Sequence, residues 1–367
     1  MTDPRARIEE IQEQAWRLPR GPAKLALLEE AVRLADMLED VELGYRLRGD
    51  LAETATFSGR IDVLLVAFSW KLAQFDRAPD RFSDFDILWQ YKWVANNVLD
   101  FSEVPLPRLL RLFDDMERRY REAGSTMHAV WYIKRDLYQH MGDRERAAEA
   151  DARYRKCRRD HLSDCVACVA HGDAGYHRFL RQWPEALDAA EPLLSGRLTC
   201  SEQPHIAFGR LLVPYLHLKR LDDARAAHQR GYKMVRGGPQ FVASHAHHLE
   251  FESLAGEPAR AKAMVERHLP GALASVSSDN RFQFLLAAKL WTDRMLKLGK
   301  ARMKLRLPAG PPPADADGRS DLERLGGWFQ DQAEGIAARF DARNGTDAFR
   351  RILDGRAELM ELAVDEG

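Results

Sequence analysis

Three cysteines and one histidine fall close together: Cys165-Val166-Ala167-Cys168, then Cys200-Ser201-Glu202-Gln203-Pro204-His205. The pattern is C-x2-C, 31 intervening residues, then C-x4-H. Thiolate and imidazole are ligands zinc favours, C-x2-C is a common zinc spacing, and three cysteines with one histidine are a known structural set. With four protein ligands no position stays open, so Cys165, Cys168, Cys200 and His205 would hold one structural Zn²⁺ per chain and activate no water. Two other readings compete: buried core thiols beside a capping histidine, and a redox cysteine pair. The fourth cysteine, Cys157, lies among Arg155, Lys156, Arg158 and Arg159 and reads as a spare thiol.

Other chemistry-bearing residues carry less information. His245, His247 and His248 precede Glu250 and Glu252. His248 and Glu252 are four apart on a helix, the spacing of a metal half-site or an acid–base pair. The plainer reading is polar residues on a surface or in a groove. The zinc-protease His-Glu-x-x-His, a nucleophile-elbow serine, a Walker lysine loop and a dinucleotide glycine triplet are all missing, which leans away from an enzyme. Lys297, Lys300, Arg302, Lys304 and Arg306 form a basic run that could touch nucleic acid or simply complement a helix end. Trp89, Tyr91 and Trp93 read as core anchors. Asp315 and Asp317 before Gly318 do not complete a calcium loop, because Pro313 and Arg324 stand where outer carboxylates belong.

The elements that must position these residues are helices. Apolar residues recur at helical spacing almost throughout, as in Leu25, Leu27, Leu28, Ala31, Val32, Leu34 and Leu38, or Leu211, Leu212, Tyr215, Leu216 and Leu218. Pro184, Pro204, Pro239 and Pro258 mark helix starts. About seventeen helices of about 11 to 20 residues account for the chain, an all-α class. One pattern recurs: a small or polar turn, an acidic or proline helix start, then alanine. It ends on Ala147 (Gly142-Asp143-Arg144-Glu145-Arg146-Ala147), Ala186 (Arg181-Gln182-Trp183-Pro184-Glu185-Ala186), Ala224 (Lys219-Arg220-Leu221-Asp222-Asp223-Ala224) and Ala261 (Gly256-Glu257-Pro258-Ala259-Arg260-Ala261), with steps of 39, 38 and 37. A weaker copy, Gly59-Arg60-Ile61-Asp62-Val63-Leu64, lies 83 residues before Ala147. The turn closes an antiparallel helix pair, and the alanine lets the second helix approach the first.

These residues resemble the tetratricopeptide repeat family over residues 40–300, though the step is longer than the family's 34 and most of its Trp, Gly and Pro positions are not kept. The resemblance implies a right-handed α-solenoid whose first helices line a concave ligand-binding face. By analogy, Tyr132, Asp136, His140, His171, Arg178 and His217 fall on or near that face, which suits a peptide groove. Cys165 and Cys168 would begin one first helix and Cys200 and His205 the next, which the solenoid would lay side by side. The expected organisation is a helical-repeat solenoid over residues 1–306, a Pro-rich linker or loop over 307–319 and a C-terminal helical cap over 320–367, with helices near Ser320–Arg343 and Thr346–Leu362.

Composition fits a scaffold. The 367 residues carry 55 Lys plus Arg against 56 Asp plus Glu, a net charge of −1, which excludes a chain whose charge alone demands nucleic acid or anionic membrane. Hydrophobic content of 45% excludes wholesale disorder, and four cysteines are too few for a disulfide framework. No apolar run reaches membrane-span length and the first residues carry no signal-peptide core, so the expectation is a cytoplasmic protein. The functional expectation is a non-catalytic scaffold binding a peptide or protein partner in a concave groove. The alternatives are an adaptor contacting nucleic acid through residues 297–306 and an enzyme using the His245–Glu252 cluster.

Overall fold

The computed structural model describes residues 3–364. They are all-α, with one short ribbon. In chain order the helices are α1 (Pro4–Arg17), α2 (Pro22–Met37), α3 (Val41–Phe57), α4 (Ile61–Arg77), α5 (Asp84–Asn97), α6 (Leu106–Glu122), α7 (His128–His140), α8 (Arg144–Lys156), α9 (Val166–Phe179), α10 (Trp183–Leu194), α11 (His205–Arg210), α12 (Leu212–His217), α13 (Leu221–Val235), α14 (Val242–Ala255), α15 (Pro258–Ala274), α16 (Ser278–Lys297), α17 (Leu322–Asn344), α18 (Ala348–Asp354) and α19 (Arg356–Leu359). The ribbon is β1 (Arg302–Met303) antiparallel to β2 (Ser320–Asp321).

The chain divides into two compact units. One holds residues 1–99, 107–134 and 150–163, the other 100–106, 135–149 and 164–367. In the first unit, Leu25, Leu28, Ala31 and Val32 are the buried members of the α2 stripe, and Leu47 and Leu51 of α3 and Leu64 and Phe68 of α4 are buried likewise. Asp40 caps α3 by accepting from Leu43 N–H at 3.1 Å, and Ser83 caps α5 by accepting from Asp86 N–H at 3.2 Å. Such caps satisfy backbone donors that a helix start leaves unpaired.

The second unit carries the repeat. Ala147, Ala186, Ala224 and Ala261 are each 0% exposed, as close helix approach at those positions requires. Gly142, Arg181 and Lys219 occupy the same turn position and all turn left-handed, with φ of 70°, 60° and 57°. Only the first has the residue type that adopts this conformation without steric cost. Two of the four proline starts sit in a first turn, Pro184 in α10 and Pro258 in α15. Pro204 instead precedes α11 as its cap residue, and Pro239 lies in the turn before α14. Pro214 falls just past Leu211, where one expected first helix breaks into α11 and α12.

The C-terminal region packs back onto this unit. Phe329, Ile336 and Phe340 of α17 join Phe282, Phe284, Leu285 and Trp291 of α16 in one core. The second expected helix is interrupted at Gly355, and the tail beyond it returns so that Val364 N–H donates to Leu254 O at 2.8 Å. Between α16 and α17, Met303, Leu305 and Leu307 turn inward against the core while Arg302 pairs with Asp315 and Asp317. The two aspartates that fail as a calcium loop are thus neutralised by arginine, with Arg324 on Asp315 at 2.8 Å.

Candidate functional site

Cys165 is the cap residue of α9, and its sulfur accepts from Cys168 N–H at 3.4 Å. Cys200 lies in the loop before α11, where its sulfur accepts from Glu202 N–H at 3.4 Å. The Sγ atoms of Cys168 and Cys200 are 3.7 Å apart, and all three sulfurs lie within 4.8 Å of one another. Sulfurs bound to a tetrahedral ion at about 2.3 Å would stand about 3.8 Å apart, while a disulfide needs about 2.05 Å. The three thiols can therefore hold a metal ion. Burial opposes ionisation at Cys165, but the Cys168 backbone N–H and the neighbouring thiols outweigh it and its pKa falls. Burial and the neighbouring charge push Cys168 and Cys200 up. Cys165, the lowered thiol, gives up its proton most readily of the three, which favours metal uptake.

His205 is not drawn into this group, so the expected set of three cysteines and a histidine is here a set of three cysteines alone. His205 opens α11, with its ring edge-on to Phe241 at 5.2 Å, and burial lowers its pKa, which keeps the imidazole neutral. Little apolar mass supports this corner: Ala167, Leu193 and Ala207, with Ala170, Leu198 and Cys200 beside them. Cys157 lies apart in the first unit, half-buried, with its pKa raised by burial.

A polar cluster in the second unit is the other feature. Arg210 at the end of α11 is the shared electrostatic neighbour of Asp100, Asp136, His171, Arg178, His247 and Asp279. Solvent reaches these side chains in part, the Asp136 side chain being 32% exposed, yet protein surrounds them. Burial pushes Asp136 up to about 6 against the pull of Arg135 and Arg210. Burial and Asp279 push Asp100 up to about 8. Burial, then Arg210, lowers Arg178 to about 10, and His171 and His247 fall well below the ordinary histidine value. Arg178, His171 and His247 make no hydrogen bond or ion pair among the described residues. Gly175 on α9 clears the way for Arg210: a Cβ there would meet its Nη1 at 3.1 Å.

Of the six groove residues expected from sequence, Asp136, His171 and Arg178 belong to this cluster around Arg210. His140 leans away, its ring against Phe340 at 5.2 Å and Phe349 at 5.1 Å, and burial holds its pKa down to about 3. Tyr132 is 6% exposed, in the first unit, against Tyr154. His217 stacks on Trp183 at 4.4 Å. Sequence reading misses Arg210 and His247, although they stand 37 residues apart, the same step that relates Ala224 to Ala261.

The His245–Glu252 cluster is buried, not superficial. His245, His248 and Glu252 are 4%, 0% and 2% exposed. Glu252 does not pair with His248. It takes Nε2 of His228 at 3.0 Å and accepts from Glu257 N–H at 2.9 Å. Nδ1 of His248 meets Nδ1 of His228 at 3.1 Å, and His268 joins through Tyr232 Oη at 2.9 Å while stacking on His245 at 3.8 Å. The basic residues of 297–306 are exposed. Among the described residues no helix is long and apolar enough to cross a membrane. No known family model matches the chain, and no curated protein matches it.

Proposed function

We propose that the chain is a non-catalytic helical-repeat scaffold, a divergent relative of tetratricopeptide repeat proteins, that takes a peptide or protein partner in the concavity around Arg210. The observation that carries this reading is the gathering of partly exposed polar side chains from α7, α9, α11, α14 and α16 around Arg210, three of them without an internal partner. Polar groups so held are costly unless something outside the chain satisfies them. Partner capture from native cells, identified by mass spectrometry and repeated with Arg178→Gln and Asp136→Asn, tests it. The partner should be lost from both variants while circular dichroism stays unchanged; retention by both would refute the concavity as the site.

In the same proposal, Cys165, Cys168 and Cys200 bind one structural Zn²⁺, with His205 swinging in as fourth ligand. The ion would tie the start of α9 to the loop before α11 where apolar packing is thin. Elemental analysis of protein purified without added metal should give about one zinc per chain. Cys200→Ser should remove it, and His205→Ala should weaken it. Metal-free protein whose melting temperature ignores chelator would defeat the site.

A further inference from the structure

A second cavity lies wholly within the first unit, and the scaffold proposal does not use it. It measures ≈ 660 Å³ and draws its walls from α3, α4 and α5, with Arg20 from the turn before α2. That volume suits a small organic molecule. Its floor carries three polar groups that the protein leaves unsatisfied. Lys71 on α4 is 2% exposed, makes no hydrogen bond or ion pair among the described residues, and has its Nζ 4.4 Å from the Tyr45 ring centre. Tyr45 Oη on α3 and Gln90 Oε1 on α5 are buried with no hydrogen-bond partner. Gly49 brings these groups together: a Cβ there would stand 3.2 Å from Lys71 Nζ and 3.6 Å from Gln90 Nε2. Glycine inside a helix costs about 0.5–1 kcal/mol against alanine, so the space it leaves is bought at some expense.

The walls are aromatic and fixed. Trp89 and Trp93 stand one turn apart on α5 and both line the cavity. Lys92 Nζ sits 3.4 Å from the Trp89 ring centre while donating to Leu162 O at 2.7 Å, and Phe85 flanks the same indole at 5.5 Å. Trp93 meets Phe57 edge-on at 5.8 Å, and Arg20 covers the Phe57 ring at 4.2 Å. Tyr45 is stacked on Phe82 at 4.1 Å. The rim charges cancel in part, since Arg81 pairs with Glu42 and Arg20 with Glu53. Asp50 and Asp86 act on Lys71 from beyond contact distance.

We propose that this cavity binds a small aromatic carboxylic acid, the carboxylate on Lys71 Nζ and Tyr45 Oη, a ring hydroxyl or N–H on Gln90 Oε1, and the flat body against Trp89 and Trp93. An ammonium with no ion pair within contact distance in a largely buried site is costly, and an incoming carboxylate relieves that cost with charge-assisted bonds. Indole walls hold a flat ring at little entropic cost because they are already immobilised. Burial lowers Lys71 to about 8, so its charge is held at neutral pH and lost in mild alkali.

The test is calorimetric titration of the full chain with 4-hydroxybenzoate and with indole-3-acetate, alongside the neutral 4-hydroxybenzamide. At least one acid should bind tighter than about 1 mM, about tenfold tighter than the amide, with affinity falling above about pH 8. Lys71→Met keeps the unbranched stem one atom shorter and removes a buried charge, so it should fold and should weaken the acid by about tenfold or more. Gly49→Ala, which intrudes on Lys71 and Gln90, should do the same, with folding checked by circular dichroism. Failure of both acids to bind the folded protein, equal binding of acid and amide, or unchanged affinity in Lys71→Met would each overturn the proposal. None of these outcomes bears on partner capture through the second unit, because no residue is shared.

Discussion

Two groups of histidines in the second unit share helix α14 and are treated in opposite ways. His228, His245, His248 and His268 find partners within the chain: Glu252, the Val235 carbonyl, another imidazole and the Tyr232 hydroxyl. His171 and His247, with Arg178, find none. His247 and His248 are neighbours in sequence, yet one faces the concavity and the other is 0% exposed. A polar group satisfied inside holds the fold, and one left open at a water-reached surface is available to a ligand. The difference can be attacked from both sides.

The largest effect should come from the closed set. Glu252→Ala strips His228 and the Glu257 N–H of their acceptor in a buried site, and should cost about 3–5 kcal/mol in denaturant unfolding. A cost below about 1 kcal/mol would mean the network is no more than incidental polarity.

Acid comes next, with opposite signs for the lowered histidines of both groups and for the raised carboxyls beside Arg210. Burial, then His245 and Arg267, holds His268 down to about 3, and His245 and His248 are lowered as well. Between about pH 3 and the unfolded value near 6.5 the unfolded chain binds more protons there, so stability from these groups falls as pH falls. His268 alone should account for about 2 kcal/mol at pH 5. The carboxyls of Asp136 and Asp100, raised to about 6 and about 8, bind protons in the folded state first, so their contribution weakens as pH rises through those values. His268→Gln should flatten the acid limb of the stability profile, while Asp136→Asn should flatten the part between about pH 4 and 6. If both variants keep the parent profile, the two environments are not distinct.

The thiols stand between these classes, since they satisfy one another only in part. Cys200→Ser, or chelation of the parent, should lower stability by about 1–3 kcal/mol and raise hydrogen exchange first at the start of α9 and in the loop before α11. Loss spread evenly over the unit would argue against a local tie.

What can be read in advance follows the same division. The turn at Gly142, Arg181 and Lys219 and the alanine five residues on obey local rules, and the repeat step is legible because those rules act on neighbours in sequence. The gathering of Cys165, Cys168 and Cys200 is legible for the same reason, since the sequence pattern sets the first pair at the start of α9 and Cys200 in the loop just before α11. The place of His205 is not, because which way a ring turns depends on Phe241 from a later helix. Helical spacing pairs Glu252 with His248, four residues away, when His228 from the preceding helix supplies its partner. Lys71 escapes notice because a lysine in an apolar stripe reads as solvent-facing; its burial is set by Tyr45 and Gln90 from neighbouring helices.

The smallest expected change in stability is the most informative about the open set. Arg178 is surrounded by protein, depressed to about 10 by burial and by Arg210, and has no ion pair among the described residues. Arg178→Gln removes a cation that another cation already disfavours and keeps a polar tip toward the concavity. The folded state loses no internal bond, so the free energy of unfolding should move by less than about 0.5 kcal/mol in either direction. The same change in His228, which holds Glu252 and His248 together, should cost several times more. Paired urea titrations of Arg178→Gln and His228→Gln therefore read the contrast directly. A large loss from the arginine variant would show that the fold itself leans on this side chain, and the concavity would then be part of the core rather than a place for a partner.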